Sequence, residues 1–182
     1  MDFCQTRISN TSMMRIGRYD VIRKVKSFEA GLLSDLALRS KAFWNYSPGF
    51  IDACRPALLI TEEVIQRGQY WLLEQDHVIV GFYGLEELSA KVVELAFLFI
   101  DPLMIGKGAG KQLFEHAVKL ARKFGYTQIR IESDPNATGF YLAMGARLVG
   151  DAPSTVMPNR QLPLLYLDVM PDGTEEKLKE IE

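Results

Sequence analysis

Residues 92 to 125 constrain the fold of this chain more than any other stretch. A strand, a glycine-rich turn and a long amphipathic helix follow one another there without a break. The strand reads Val92-Val93-Glu94-Leu95-Ala96-Phe97-Leu98-Phe99-Ile100 and is apolar on both faces apart from Glu94, as expected of a central strand covered on each side. Asp101-Pro102 ends it. The turn Ile105-Gly106-Lys107-Gly108-Ala109-Gly110-Lys111 follows, and then a helical period puts Leu113, Phe114, Ala117, Val118, Leu120, Ala121 and Phe124 on one broad face, closed by Gly125. So much glycine lets the backbone approach a ligand closely, and the turn's N–H groups converge with the positive end of the helix. Such a place binds phosphate. Lys107 and Lys111 add two cations to it, unless they serve only as solubilising charge.

Spacing decides between phosphate ligands. A nucleoside-triphosphate loop needs glycine at position 105 and Ser or Thr after Lys111, where the chain has Ile105 and Gln112. A dinucleotide fingerprint needs its third glycine where Lys111 stands and follows the first strand of a βαβ unit. Neither fits.

The stretch resembles motif A of the GNAT superfamily of acyl-CoA-dependent N-acyltransferases, whose pattern is Gln/Arg-x-x-Gly-x-Gly/Ala. Gly108 and Gly110 match and Gly106-Lys107 is a frequent filling, while Ile105 departs from the first position. Such a loop holds the CoA pyrophosphate mainly by backbone amides, so the departure removes one side-chain contact and keeps the cradle. A second segment, Asp134-Pro135-Asn136-Ala137-Thr138-Gly139-Phe140-Tyr141-Leu142-Ala143-Met144-Gly145-Ala146, is similar to motif B and stands at the family's usual distance. The resemblance covers roughly residues 20 to 170. It implies an α/β fold with a central mixed seven-stranded sheet flanked by helices. It implies acetyl-CoA as co-substrate, met by Leu98, Phe99, Ile100, Gly106, Lys107, Gly108, Ala109, Gly110, Lys111, Asn136 and Tyr141. The implied reaction is transfer of acetyl to a primary amine of a small molecule or peptide by direct attack in a ternary complex. A regulator of the same fold that binds acyl-CoA without turnover is the alternative; the presence of both Glu94 and Tyr141 favours the enzyme.

Length and composition agree with one domain. The chain has 182 residues, 48% of them hydrophobic, enough for a proper core. Residues 1–18 read as a loose N-terminal arm, 19–170 as the domain and 171–182 as a charged tail. A formal charge of −2 argues against a surface built for nucleic acid or an acidic membrane. Cys4 and Cys54 lack the His and Cys neighbours of a metal site, so free thiols and no metal are expected. Without an apolar leader or spanning segment the protein reads as cytoplasmic. A homodimer stays open.

In chain order, Val21–Lys26 reads as a first strand, and Ser27 as the cap of a helix running to about Ala42. The aromatic connection Phe43-Trp44-Asn45-Tyr46-Ser47-Pro48-Gly49-Phe50 starts a second short helix, and Thr61-Glu62-Glu63 starts a third that ends at Gly68. Tyr70–Glu74 and Val78–Leu85 form a hairpin around Gln75-Asp76-His77, and the central strand completes a meander. Thr127–Glu132 is a fifth strand, parallel to the fourth because a helix carries the crossover. Arg147–Gly150 and Leu164–Val169 are the last strands, joined by a long loop from Asp151 to Pro163.

Acetyl transfer to an amine makes three demands. The nucleophile must be neutral, and an alkylammonium of pKa ~10 needs a base. Glu94 is the candidate: it shares a strand face with Val92, Ala96, Leu98 and Ile100, where desolvation raises its pKa, and it matches the base position of several GNAT enzymes. A structural salt bridge to Arg130 is the competing role. The oxyanion of the tetrahedral intermediate needs a donor, and the resemblance implies a free backbone N–H near Leu98 or Phe99 where the fourth strand splays from the fifth. The leaving thiolate needs a proton, a role that motif B implies for Tyr141, otherwise a buried aromatic. Asn136 suits both a helix N-cap and, by resemblance, a bond to the pantetheine arm. Trp44 and Tyr46 line the acceptor entrance or pack a helix corner. Arg160 pairs with an acceptor or fixes its own loop. His77 and His116 read as solvent-facing.

Overall fold

The structure, a computed structural model, describes residues 20–170, so the expected arm, the tail and Cys4 lie outside the described residues. Strands β1 (Asp20–Lys24), β2 (Gln69–Gln75), β3 (Val78–Glu87), β4 (Val92–Ile100), β5 (Gln128–Glu132), β6 (Arg147–Pro153) and β7 (Gln161–Asp168) form one seven-stranded sheet in the order β1-β2-β3-β4-β5-β7-β6. Only β4 and β5 pair in parallel. Helices α1 (Ala30–Ala42), α2 (Pro48–Cys54) and α3 (Glu62–Arg67) cover one face, where Leu33, Leu36, Cys54, Ile60 and Ile65 meet Tyr70, Leu72 and Phe82. The helices α4 (Ala109–Lys123) and α5 (Thr138–Ala143) cover the other, where Leu113, Phe114, Ala117 and Tyr141 meet Leu85, Val93, Ile129 and Leu165.

Local chemistry sets most of these boundaries. Asp76 and His77 take φ of 48° and 66°, the paired left-handed geometry of a two-residue hairpin turn. The hydroxyls of Ser47 and Thr61 accept the amides of Phe50 and Val64 and so cap α2 and α3. At the end of α4, Gly125 sits at φ 80°, its N–H donates to Arg122 O and the N–H of Tyr126 donates to Ala121 O, which satisfies two orphan carbonyls.

Three expectations are corrected. Ser27 is no cap: a 3-10 turn covers Ser27–Glu29, and the Glu29 carboxylate accepts the Lys26 N–H at 2.8 Å while holding Arg23. The last connection is only 154–160, because β6 and β7 pair as far as Pro153 and Gln161; proline removes a donor, and its neighbours sustain the ladder. Glu94 does not share a face with Leu98 and Ile100. The register passes from Gly84–Phe97 directly to Leu85–Leu95, so Ala96 is the extra residue of a bulge. Beyond it the alternation restarts: Val93, Leu95, Leu98 and Ile100 face α4, while Phe97 and Phe99 face α1 with Glu94.

The ring of Tyr70 occupies the space that Gly84 leaves opposite this bulge. A Cβ on Gly84 would lie 2.4 Å from that fully buried ring. Gly84→Ala is therefore expected to lower unfolding stability by about 1–3 kcal/mol, the usual cost of overpacking. Urea denaturation measures it, and an unchanged midpoint would mean that the ring yields freely.

Candidate active site

Parallel pairing of β4 with β5 stops at Glu94 and Arg130, although β4 runs on to Ile100. From Leu95 onward the β5-facing edge of β4 has no strand partner, and a cavity of about 500 Å³ opens along it. Leu95, Ala96, Leu98, Phe99 and Ile100 form its floor. Gly106, Gly108, Gly110 and Lys111 stand at one end, Ser40, Lys41 and Trp44 come from α1 and the connection after it, and Asn136, Phe140 and Tyr141 close the side.

The glycine turn has the conformation that its sequence requires. Gly106 and Gly108 take φ of 78° and 90°, where an L side chain is strained, and a Cβ at either would meet no protein atom within 4 Å. The first helical bond of α4 is donated by Gln112 to Gly108 O at 3.1 Å, so the preceding first-turn amides have no helical acceptor. An anion of phosphate size fits such an end. Of the expected cradle residues, Lys107 is exposed and Ala109 is buried in the core, and neither is on the cavity wall. Ile105 is on the wall in place of the polar residue of the motif.

Tyr141 is buried against Phe114 and Phe140 and reaches the cavity. Burial, with the Asp134 carboxylate adding to it, pushes its phenol well above the ordinary tyrosine range, so the hydroxyl keeps its proton at neutral pH. Facing it across the splay is a charged group on the α1 side of the sheet. The Arg130 guanidinium donates to both Glu94 and Glu132. Burial raises the Glu94 carboxyl above its ordinary pKa; the Arg130 charge opposes this and Glu132 adds to it. Glu94 is thus in the ion pair weighed from the sequence, and it is Glu132 that lies on the cavity wall. Glu132 was missed because its position depends on where β5 ends.

Asp134 was also missed, and it gathers partners from both helical layers. It caps the 3-10 turn Pro135–Ala137 by accepting the Asn136 N–H at 2.9 Å, so Asn136 is not the cap. An Asp before Pro is the signal that pointed to it, the same one that makes Asp101 accept the Leu103 N–H. The carboxylate also receives Lys41 Nζ at 2.5 Å and the Tyr46 hydroxyl at 2.9 Å. Tyr46 Oη in turn accepts Asn136 Nδ2 at 3.0 Å and Arg160 Nη2 at 3.1 Å. Of the three expected acceptor residues, Trp44 is on the wall, whereas Tyr46 and Arg160 are bonded to each other behind it. His116 is corrected as well: it packs on Trp71 at 4.8 Å and meets the Tyr83 hydroxyl at 2.7 Å, and burial lowers its pKa. His77 is exposed. Among the described residues no cluster of His, Cys, Asp and Glu could hold a metal ion, and no helix is long and apolar enough to cross a membrane.

Burial pushes the Asp134 carboxyl up, but Lys41, the Asn136 amide and Tyr46 outweigh it and hold the pKa below the ordinary value. A depressed carboxyl contributes stability above its unfolded pKa and loses it as pH falls through the folded one. Asp134→Asn, which leaves Lys41 half-buried and unpaired, is expected to cost about 3 kcal/mol at pH 7. The gap from wild type should narrow below about pH 3.9, the unfolded Asp value. Denaturation at several pH values checks both; a gap that does not change with pH would contradict the assignment.

Residues 37–146 match the acetyltransferase (GNAT) family. Over 53 residues the chain is 47% identical to the peptidyl-lysine N-acetyltransferase YjaB of Salmonella typhimurium, a match that spans 29% of this chain and only 35% of that relative. Among solved structures, the PaiA N-acetyltransferase of Thermoplasma acidophilum, in complex with coenzyme A, superposes with a TM-score of 0.69 at 20% identity, over 82% of this chain and 99% of that one. A GNAT acetyltransferase of Elizabethkingia anophelis with acetyl-CoA bound gives 0.61 at 18% identity, over 82% and 98%. The strand order, the glycine turn and the matched residues agree, and the chain belongs to the GNAT acetyltransferase family.

Proposed function

We propose that this protein transfers the acetyl group of acetyl-CoA to the primary amine of a small molecule or peptide in a ternary complex. The observation that carries the reading is one cavity whose wall holds the glycine turn, Tyr141 and Glu132 together. Acetyl-CoA supplies an activated thioester carbonyl. Backbone amides at Gly106, Gly108 and Gly110, with Lys111, take the pyrophosphate, and Asn136 faces the arm that joins it to the thioester. The unpartnered edge of β4 at Leu98 or Phe99 offers one backbone N–H among them where negative charge develops on the carbonyl oxygen. Ile100 packs beside them.

The amine's proton goes to the carboxylate pair held by Arg130. Glu132 stands on the wall, and Glu94 is the member whose proton affinity burial raises, reached directly or through water. The Tyr141 phenol, on the cavity wall, gives its proton to the departing thiolate. Two carboxylates and an unpaired β4 edge beside the cradle favour turnover over mere acyl-CoA binding.

Steady-state thiol release with an accepted amine tests these roles. Tyr141→Phe should lower kcat by about 10²-fold, a typical size for lost general acid catalysis, with the acetyl-CoA KM nearly unchanged. Glu94→Gln and Glu132→Gln should each lower kcat/KM for the amine. In wild type kcat/KM should rise with pH through an apparent pKa above the ordinary carboxylate range, because the base acts deprotonated and Glu94 is shifted upward. Wild-type constants in all three variants would remove these groups from the reaction.

A further inference from the structure

We propose that the acceptor is a compact primary amine, and that the bond between Tyr46 and Arg160 is the device that keeps a lysine inside a polypeptide out. This rests on the acetyltransferase reading above and narrows its acceptor class. The two connections beside the Trp44 side of the cavity, 43–47 and 154–160, do not stand apart as the walls of a groove. Arg160 Nη2 donates to Tyr46 Oη at 3.1 Å, and its guanidinium lies 5.1 Å from the Tyr46 ring and 4.4 Å from the Phe50 ring. The same loop sends Val156 into the apolar layer under α1 and α2. It is braced internally as well: Ser154 N donates to Arg160 O at 2.8 Å, and Ser154 Oγ accepts the Val156 N–H at 3.2 Å.

The latch is partly buried and crosses a region next to the cavity. The Arg160 side chain is 20% exposed and Asp134, which receives the Tyr46 hydroxyl, 14%. Such partly buried, charge-assisted bonds hold better than exposed pairs of median near zero. Trp44, next but one to Tyr46, and Leu162, next but one to Arg160, both stand on the cavity wall. An extended peptide needs roughly 4.7–4.9 Å of clearance from each neighbouring backbone. Between the two connections the gap is filled by a hydrogen bond and a stacked guanidinium. A main chain cannot be laid there without breaking the latch, whereas a compact amine needs only the cavity, with its ammonium toward Glu132.

The test compares kcat/KM for a panel of compact amines (polyamines, aminoglycosides and free amino acids) with that for a peptide bearing one internal lysine and a blocked N-terminus. Wild type, Arg160→Ala and Tyr46→Phe full-length protein are measured by thiol release and by mass of the product, with melting temperatures to confirm folding. Wild type should favour the best compact amine over the peptide by more than about tenfold, and Arg160→Ala should reduce that ratio by a similar factor. Tyr46→Phe keeps the ring stack, loses the hydroxyl, and should shift the ratio the same way by less. Peptide lysine acetylated by wild type as well as any compact amine would overturn this proposal alone, as would a ratio that neither substitution moves. Turnover with no amine of either class, despite CoA binding, would overturn the acetyltransferase reading and this proposal with it.

Discussion

The separation of β4 from β5 is the constraint on which the rest of this molecule depends. Two parallel strands in the middle of a sheet should keep pairing, since every unpaired main-chain group buried without a partner costs free energy. Here pairing ends at Glu94 and Arg130 while β4 continues to Ile100. The bulge at Ala96 makes this possible: it inserts a residue against β3, increases local twist and turns the second half of β4 away from β5. The main-chain groups so released lie along the cavity floor, where a ligand can satisfy them. A feature that would be a defect in a structural sheet is thereby the element around which a binding site forms.

Electrostatics divides the cavity into two ends. The glycine turn concentrates positive potential from backbone dipoles and Lys111 at one end, suited to phosphate. Away from that turn Glu132, on the wall, and Glu94, off it, share one guanidinium, leaving an excess of negative charge suited to an ammonium. Asp134, also on the wall, caps the turn that leads to Tyr141 and anchors Lys41 and Tyr46 from the opposite helical layer. Its geometry ties the Tyr141 side of the cavity to the α1 side.

What the sequence made legible was local. The bounds of β4, the caps at Ser47 and Thr61, the hairpin around Gln75-Asp76-His77 and the glycine turn follow from residues close in the chain, and all were anticipated. The family resemblance supplied the seven-stranded sheet. What stayed illegible depended on register or tertiary contact. Alternation along β4 predicts Glu94 beside Leu98, and only the pairing with β3 reveals the extra residue at Ala96. His116 sits on the polar side of a helical wheel, yet Trp71 reaches it from β2. Pro153 and Pro163 suggested a long loop, because proline usually ends strands, but the flanking ladder tolerates both. Glu132 belongs to the site only because β5 stops where β4 has already turned away.

In the proposed reaction the splay and the glycine turn together seat CoA. Calorimetric titration of CoA into wild type and Gly108→Val is the test, because at Gly108 a side chain would meet no protein atom but would strain the left-handed turn that presents the amides. Wild type should bind CoA saturably and a folded variant should not bind it. Equal affinity for the two proteins would place the cofactor elsewhere.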